Sequence, residues 1–169
     1  VMPKETQIEF KNIRKQLQFP IVIIADIESI LVPQPQRQNN GKTTIIDEHQ
    51  PSGYAYKVTS DLLPHLTEPT KVVRHEGCID TFIADIYNEY EKFKYIFEEP
   101  ADMIMTSEDI AVYESSTVCH ICEEPLKWNN DENKVVRDHC HFTGQFRGAA
   151  HNNCNIKLTI PTKISIVFH

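Results

Sequence analysis

Two contrasting hydrophobic patterns occupy the first hundred residues. Residues 21–32 are β-branched and almost continuously apolar, which is typical of a central buried strand. Pro33 and Pro35 are expected to end that strand, and the polar stretch to residue 50 to be an exposed loop. Shorter apolar runs predict strands at 53–59 and 71–74.

A helix is predicted over residues 78–97, because apolar residues recur there at intervals of three and four. These residues would form one apolar face: Ile79, Phe82, Ile83, Ile86, Tyr90 and Phe93. Residues 101–117 predict a connector in which 106–109 caps a short turn. A distinct small module is expected at 118–160, followed by another strand in 161–169.

Inside this small module the pattern predicts two strands and a helix. A Val-rich stretch beginning at Val135 indicates the first strand, and Gly144 lies in a hairpin turn. A return strand follows at 146–148, and a helix is expected to begin near His151. The predicted fold class is therefore α+β, with a ββα unit near the carboxyl end.

Composition narrows the class of protein without identifying it. The chain has 169 residues, of which 40% are hydrophobic and 24% charged, as in soluble globular proteins of one or two domains. Its longest apolar run, at residues 21–25, is far shorter than the ~20 residues that a membrane-spanning helix needs. The net charge is −7, yet residues 133–163 carry five basic residues and one acidic residue, which suits a confined polyanion site. Five cysteines, three of them in a Cys/His-rich stretch, indicate metal binding in a reducing intracellular compartment.

Two pairs of metal-ligand residues share the same spacing. Cys119 and Cys122 are separated by two residues, as are His151 and Cys154. Each pair can aim two side chains at one ion, so the four would complete a tetrahedral structural Zn²⁺ site. Three other residues are alternatives to His151 as the fourth ligand: His120, His139 and Cys140.

Residues between and beside these pairs suit phosphodiester hydrolysis. His139 is a candidate general base, since an unperturbed imidazole has a pKa of ~6.5. Asp138 and Asn155 offer hard oxygen ligands for catalytic Mg²⁺ or Mn²⁺. His141 is expected on the same strand face as His139, where it could contact phosphate or metal. The candidate DNA contacts are Arg147, Arg137 and Lys157, with Arg147 placed to clamp phosphate.

These motifs resemble, in order and spacing, the recombination endonuclease VII family of HNH nucleases. The resemblance covers residues 119 to about 158 and departs from the family at Cys140 and His151. It implies a treble-clef zinc fold with a ββα-metal site, in which Asp138 and Asn155 bind the catalytic metal. It also implies DNA, branched or structured, as the substrate. The alternative is a zinc module that grips DNA without cleaving it.

Asp26 and Glu28 lie two residues apart at the end of the predicted buried strand, on one face that suits a shared metal ion. Their context resembles the first exonuclease motif of family B DNA polymerases, most of all the protein-primed enzymes of Maverick/Polinton transposons and related viruses. The resemblance implies that 1–100 is a partial RNase H-like 3′–5′ exonuclease region with a mixed sheet. The zinc module would then be inserted before a return strand at 161–169.

The same resemblance implies a cellular context. The expected partner is the remainder of a DNA polymerase, in the nucleus or at a site of viral or transposon DNA replication. Proofreading is not expected from these residues alone, because two-metal exonuclease chemistry needs further carboxylates. Polymerisation is not expected either, because these residues contain no polymerase palm motifs. A third interpretation is a degraded fragment that serves only as an interaction domain. The sequence does not indicate an oligomeric state.

Overall fold

The computed structural model describes residues 17–39, 43–129 and 132–169. Residues 1–16 of the predicted exonuclease-like region therefore lie outside the described residues. The elements in chain order are β1 (Val22–Asn39), β2 (Thr43–Thr59), β3 (Lys71–Arg74), α1 (Cys78–Phe93), α2 (Tyr95–Glu98), α3 (Ser107–Ser115), β4 (Val135–His139), β5 (Phe146–His151), α4 (Asn152–Ile156) and β6 (Ser165–Phe168). This mixture of helices and strands confirms the α+β class.

The chain forms two compact units. One, called the sheet unit, contains residues 19–98 and 163–169, and the other, called the zinc-module unit, contains residues 99–162. Among the described residues, no helix is both long and apolar enough to cross a lipid bilayer.

Four strands form the sheet unit, in the order β3-β2-β1-β6. β1 pairs antiparallel with β2 and parallel with β6, so it is an interior strand with neighbours on both sides. Alternate residues of these strands point into the core, as the period of two requires. The buried set is Ile21, Ile23, Ala25, Tyr54, Tyr56 and Val58.

The prediction of an exposed loop between residues 33 and 50 is wrong. β1 continues through Pro33 and Pro35 to Asn39, where it pairs with Thr43 of β2. The register shifts between Pro33 and Arg37, and such an irregularity tolerates prolines because it interrupts the ladder of N–H donors. Beyond Glu28 neither β3 nor β6 pairs with this hairpin, so it projects as a two-stranded ribbon.

The prediction of one apolar face on α1 is also partly wrong. Phe82 and Phe93 are buried as expected, but Ile83 and Tyr90 are 61% and 43% exposed. The face towards β2 includes carboxylates: the Tyr54 hydroxyl donates to Asp85, and the Tyr56 hydroxyl donates to Glu89 at 2.8 Å. Buried tyrosine hydroxyls require acceptors, so acidic residues occupy positions that the periodicity assigned to apolar ones.

Charge at this interface is balanced by a lysine. Lys71 Nζ lies 2.7 Å from Asp85 Oδ1. Burial alone would raise the pKa of Asp85, but the hydrogen bonds from Lys71 and Tyr54 bring it below its usual value. Burial and the hydrogen bond to Asp85 raise the pKa of Tyr54 far above 10. At neutral pH a neutral phenol therefore donates to an ionised carboxylate.

Candidate metal centre

The segment predicted as a connector contains α3, which begins with a capping box. The Asp109 N–H donates to Thr106 Oγ1 at 3.1 Å, and the Thr106 N–H donates to Asp109 Oδ2 at 2.9 Å. This satisfies two donors that a helix amino terminus leaves unpaired. The hydroxyl of Tyr113 donates to the Val135 carbonyl at 3.1 Å, which joins α3 to β4.

The stretch before α3 lies along the turn between β4 and β5. The Ala101 N–H donates to the His141 carbonyl and the Ile104 N–H to the Gly144 carbonyl, each at 2.7 Å. Gly144 adopts a φ of 73°, and a methyl group added there would lie 2.2 Å from the Asp102 carbonyl oxygen. The turn therefore requires glycine, and residues 99–104 belong to the unit that carries the candidate site.

β4 and β5 form an antiparallel hairpin with one bulge. Asp138 pairs with Gly148, but His139 pairs with Phe146, so Arg147 is an extra residue in β5. Regular alternation would direct Arg147 away from the side of Gly148. A bulge redirects a side chain, and here it allows Arg147 to reach Asp138.

The Cys119 knuckle is a tight turn held by backbone hydrogen bonds. The Cys119 N–H donates to the Glu124 carbonyl at 2.9 Å, and the Glu123 N–H returns to the Cys119 carbonyl at 2.8 Å. The His120 N–H donates to the Ala149 carbonyl of β5 at 3.0 Å. These bonds place both cysteines of the knuckle beside the start of α4.

The four residues that the sequence predicts as zinc ligands converge. Their ligand atoms all lie within 4.8 Å of one another: Cys119, Cys122, His151 and Cys154. His151 Nδ1 is 3.5 Å from Cys122 Sγ and 3.9 Å from Cys154 Sγ. Three thiols and one imidazole form a soft donor set that suits Zn²⁺ in tetrahedral coordination. This cluster could therefore hold a metal ion such as zinc.

The residues considered as alternative fourth ligands are outside that cluster. His120 turns its ring away and contacts Asp138, while His139 and Cys140 follow each other at the end of β4. No second group of three converging His, Cys, Asp or Glu ligand atoms occurs within 17–39, 43–129 and 132–169.

Thiol ionisation within the cluster is uneven. Burial would raise the pKa of Cys119, but backbone N–H groups of Cys122, His151 and Ile121 around its sulfur lower the pKa to about 7. Burial and the neighbouring sulfurs of Cys122 and Cys119 raise the pKa of Cys154 to about 11. The fold alone thus favours the thiolate of Cys119, and binding of a cation would have to displace the proton of Cys154.

Asp138 is buried, with a residue exposure of 1%. Arg147 Nε donates to its Oδ2 at 3.0 Å and Nη2 to its Oδ1 at 2.6 Å. His120 Nε2 lies 2.8 Å from the same Oδ2. Burial would raise the pKa of Asp138, but the hydrogen bonds from His120 and Arg147 hold it below its usual value, so the carboxylate is ionised.

Of the remaining candidate catalytic residues, His139 ends β4 and His141 lies two residues beyond it. The rings of His139 and His141 are 5.0 Å apart, centroid to centroid. Burial, together with the charges of His139 and Arg147, lowers the pKa of His141, which favours a neutral imidazole at pH 7. Asn155 lies on α4 and is half-buried.

The other predicted site residues lie elsewhere. Arg137 is exposed on β4, where its guanidinium stacks over the Tyr113 ring at 5.0 Å, and Lys157 is exposed just after α4. Asp26 is half-buried and Glu28 is exposed on β1, in the sheet unit. Their roles in binding DNA or metal stay predictions.

Sequence reasoning did not anticipate the contact between His120 and Asp138. Its one local signal is the glycine after Arg147, because a methyl group added at Gly148 would lie 2.7 Å from the His120 ring. That glycine indicates a close approach but does not name the residue that fills the space.

Comparison with known families agrees with this geometry. Residues 98–160 match the family model of recombination endonuclease VII, over a little more than a third of the chain. No curated protein and no solved structure matches the chain. The matched segment and the Cys/His cluster together define an endonuclease VII-like module, and the family indicates a nuclease.

Proposed function

We propose that residues 98–160 act as an HNH-type, metal-dependent DNA endonuclease. The observation that carries the proposal is Asp138, a buried ionised carboxylate adjacent to His139 on β4, within the segment that matches recombination endonuclease VII. A zinc ion on the Cys/His cluster would stabilise this small module, whose buried core contains few large residues.

The residues proposed to hold one hard divalent cation are Asp138 and Asn155. An ionised carboxylate has about four acceptor positions, and Asp138 uses three of them, so Oδ1 keeps one. Asn155 offers a neutral amide oxygen. Bound Mg²⁺ or Mn²⁺ would neutralise charge on the phosphate and on the leaving oxygen.

One residue of the chain would then transfer a proton, and two others would bind the phosphate. His139, as the general base, would take a proton from water while the water oxygen bonds to phosphorus. The bond from phosphorus to the sugar oxygen breaks, and that oxygen takes a proton from solvent. His141 and the unused N–H donors of Arg147 are suited to hold the phosphate oxygens.

We extend the proposal to the sheet unit as a partial exonuclease-type region of a family B DNA polymerase from a virus or transposon. Two observations support it. Asp26 and Glu28 are two apart on β1, and β6 returns after residues 99–162 to pair parallel with β1. The rest of such a polymerase would be the partner, in the nucleus or wherever that element replicates its DNA.

A non-catalytic DNA-binding module is the second candidate. It is favoured by the covering of Asp138, whose two oxygens accept from Arg147 and which is 1% exposed. In that case the ion pair would be structural, and no cleavage would occur.

A nicking assay separates the two candidates. Zinc-loaded chain would be mixed with supercoiled plasmid or a four-way junction, with Mg²⁺ or Mn²⁺, beside His139→Ala. His65→Ala is the control, because this histidine is exposed in the sheet unit. We expect cleavage by wild type and by the control but not by His139→Ala. DNA binding without cleavage in all three would favour the second candidate.

A further inference from the structure

His120 lies between two candidate zinc ligands but faces a different partner. It follows Cys119 in the knuckle, and its Nε2 is 2.8 Å from Asp138 Oδ2. An ionised carboxylate can only accept, so the Nε2–H donates in this bond. The knuckle thus contacts the candidate cation ligand directly, through a residue that the Cys-x-x-Cys spacing does not require.

The backbone of β5 holds the His120 imidazole in place. The His120 backbone N–H donates to the Ala149 carbonyl at 3.0 Å, which ties the knuckle to β5. The ring packs against the bare backbone of Gly148, where an added methyl group would lie within 3 Å of three ring and Cβ atoms. Because Gly148 is also the register partner of Asp138, the glycine leaves room for the ring beside the carboxylate.

Together with Arg147, His120 fixes the orientation of the carboxylate. Arg147 contacts both oxygens from β5, while His120 approaches Oδ2 from the knuckle. Oδ2 then accepts two hydrogen bonds and Oδ1 accepts one, so the remaining acceptor position is on Oδ1. Donors from two separate elements leave the side chain of Asp138 little freedom to rotate.

We infer that His120 is a positioning residue, which holds Asp138 so that Oδ1 faces a divalent cation and thereby couples the zinc knuckle to the cation site. The inference rests on the proposed function. It assigns to one knuckle residue a role in affinity for the catalytic cation, distinct from the role of its neighbours in binding zinc.

The test compares three variants of the whole zinc-loaded chain. His120→Gln keeps an N–H donor close to the position of Nε2, whereas His120→Leu removes the donor and keeps an apolar side chain of similar bulk. Glu124→Gln is the matched control, because Glu124 is an exposed residue of the same knuckle. The measurements are zinc content, affinity for Mn²⁺ from the electron paramagnetic resonance signal of the free ion, and kcat and KM for nicking.

We expect His120→Leu to keep one zinc and to bind Mn²⁺ at least tenfold more weakly, the usual effect of losing a hydrogen bond to a metal ligand. Its kcat at a fixed Mn²⁺ concentration should fall while KM for DNA stays unchanged. His120→Gln should recover most of the affinity, and Glu124→Gln should match wild type. If His120→Leu loses zinc, His120→Asn replaces it, because its shorter side chain does not reach Asp138, and wild-type affinity for Mn²⁺ in zinc-loaded His120→Asn counts against the role.

Failure of the inference is distinct from failure of the proposed function. Wild-type affinity for Mn²⁺ in zinc-loaded His120→Leu would overturn the positioning role and leave the nuclease intact. Zinc-loaded wild type that neither binds Mn²⁺ nor cleaves DNA would overturn the proposed function, and the positioning role with it.

Discussion

Arg147 holds the carboxylate of Asp138 through two N–H donors, at 3.0 and 2.6 Å, although the register partner of Asp138 is Gly148. The contact depends on the extra residue that β5 carries at this point. The fork of a guanidinium matches both oxygens of a carboxylate, and Asp138 is buried, so the pair neutralises a charge inside the unit.

Removing Arg147 should destabilise the zinc-module unit. Arg147→Ala leaves the buried carboxylate of Asp138 with the hydrogen bond from His120, and we expect the free energy of unfolding to fall by about 3 kcal/mol. Arg147→Lys should lose less, since it keeps the charge but not the paired donors. Urea unfolding of zinc-loaded protein measures the difference, through the fluorescence of Trp128. Arg137→Ala, which removes a contact with the Tyr113 ring, should cost less than about 1 kcal/mol. Equal losses for both alanine variants would contradict a special role for the Asp138 pair.

The thiols of the cluster should be required for zinc, and the other thiols should not. Cys154→Ser removes one of four converging ligands, so the variant is expected to lose the metal and the ordered hairpin. Cys140→Ser is the control, because Cys140 is outside the cluster. Metal analysis by mass spectrometry gives the zinc content per chain. One zinc retained in Cys154→Ser, or lost in Cys140→Ser, would refute the assignment.

Two glycines with similar backbone angles should respond differently to a methyl group. Gly77 and Gly144 have φ of 71° and 73°, but a methyl group meets nothing within 4 Å at Gly77 and the Asp102 carbonyl at 2.2 Å at Gly144. Gly77→Ala should therefore cost about 1 kcal/mol from the left-handed backbone alone. Gly144→Ala should cost clearly more, because the turn must also move away from residues 101–104. Urea unfolding of the two variants tests this, and equal costs would argue against the contact.

The stability of the sheet unit should depend on the ionisation of Asp85. Its pKa is lowered in the folded state, whereas an unfolded aspartate has a pKa of about 3.9. The stabilisation is therefore complete above about pH 4 and is lost as the pH falls through the folded value. Asp85→Asn should be less stable than wild type at pH 7 by about 1–2 kcal/mol, and the difference should shrink towards pH 3.

The matched control for this titration is Asp80→Asn, an exposed carboxylate in the first turn of the same helix. Its loss at pH 7 should be within about 0.5 kcal/mol. Methyl NMR signals of Val58, in the core of the sheet unit, would follow urea unfolding there at each pH. If the difference in free energy of unfolding between wild type and Asp85→Asn did not change with pH, the lowered pKa of Asp85 would not contribute to stability.

Much of the secondary structure could be predicted from local pattern. The strand at 71–74 agrees with β3 in both bounds, and the expected hairpin and helix of the module correspond to β4, β5 and α4. Such elements depend on the spacing of apolar and turn residues within a few positions. The long β1–β2 hairpin could not be predicted in this way, because its prolines are tolerated only through the shifted register with β2.

The sequence by itself determined the donor chemistry of each ligand pair, since a spacing of two residues lets one turn direct both side chains at one ion. The convergence of the two pairs is a result of the tertiary structure. Only the tertiary structure decided how Asp138 is held. His120, Asp138 and Arg147 come from a knuckle and two strands, and their contacts follow from a bulge in β5 and the missing side chain at Gly148. The same holds for α1, where Tyr54 and Tyr56 require carboxylates at positions 85 and 89. Contacts between residues far apart in the chain depend on register and packing, which no local spacing records.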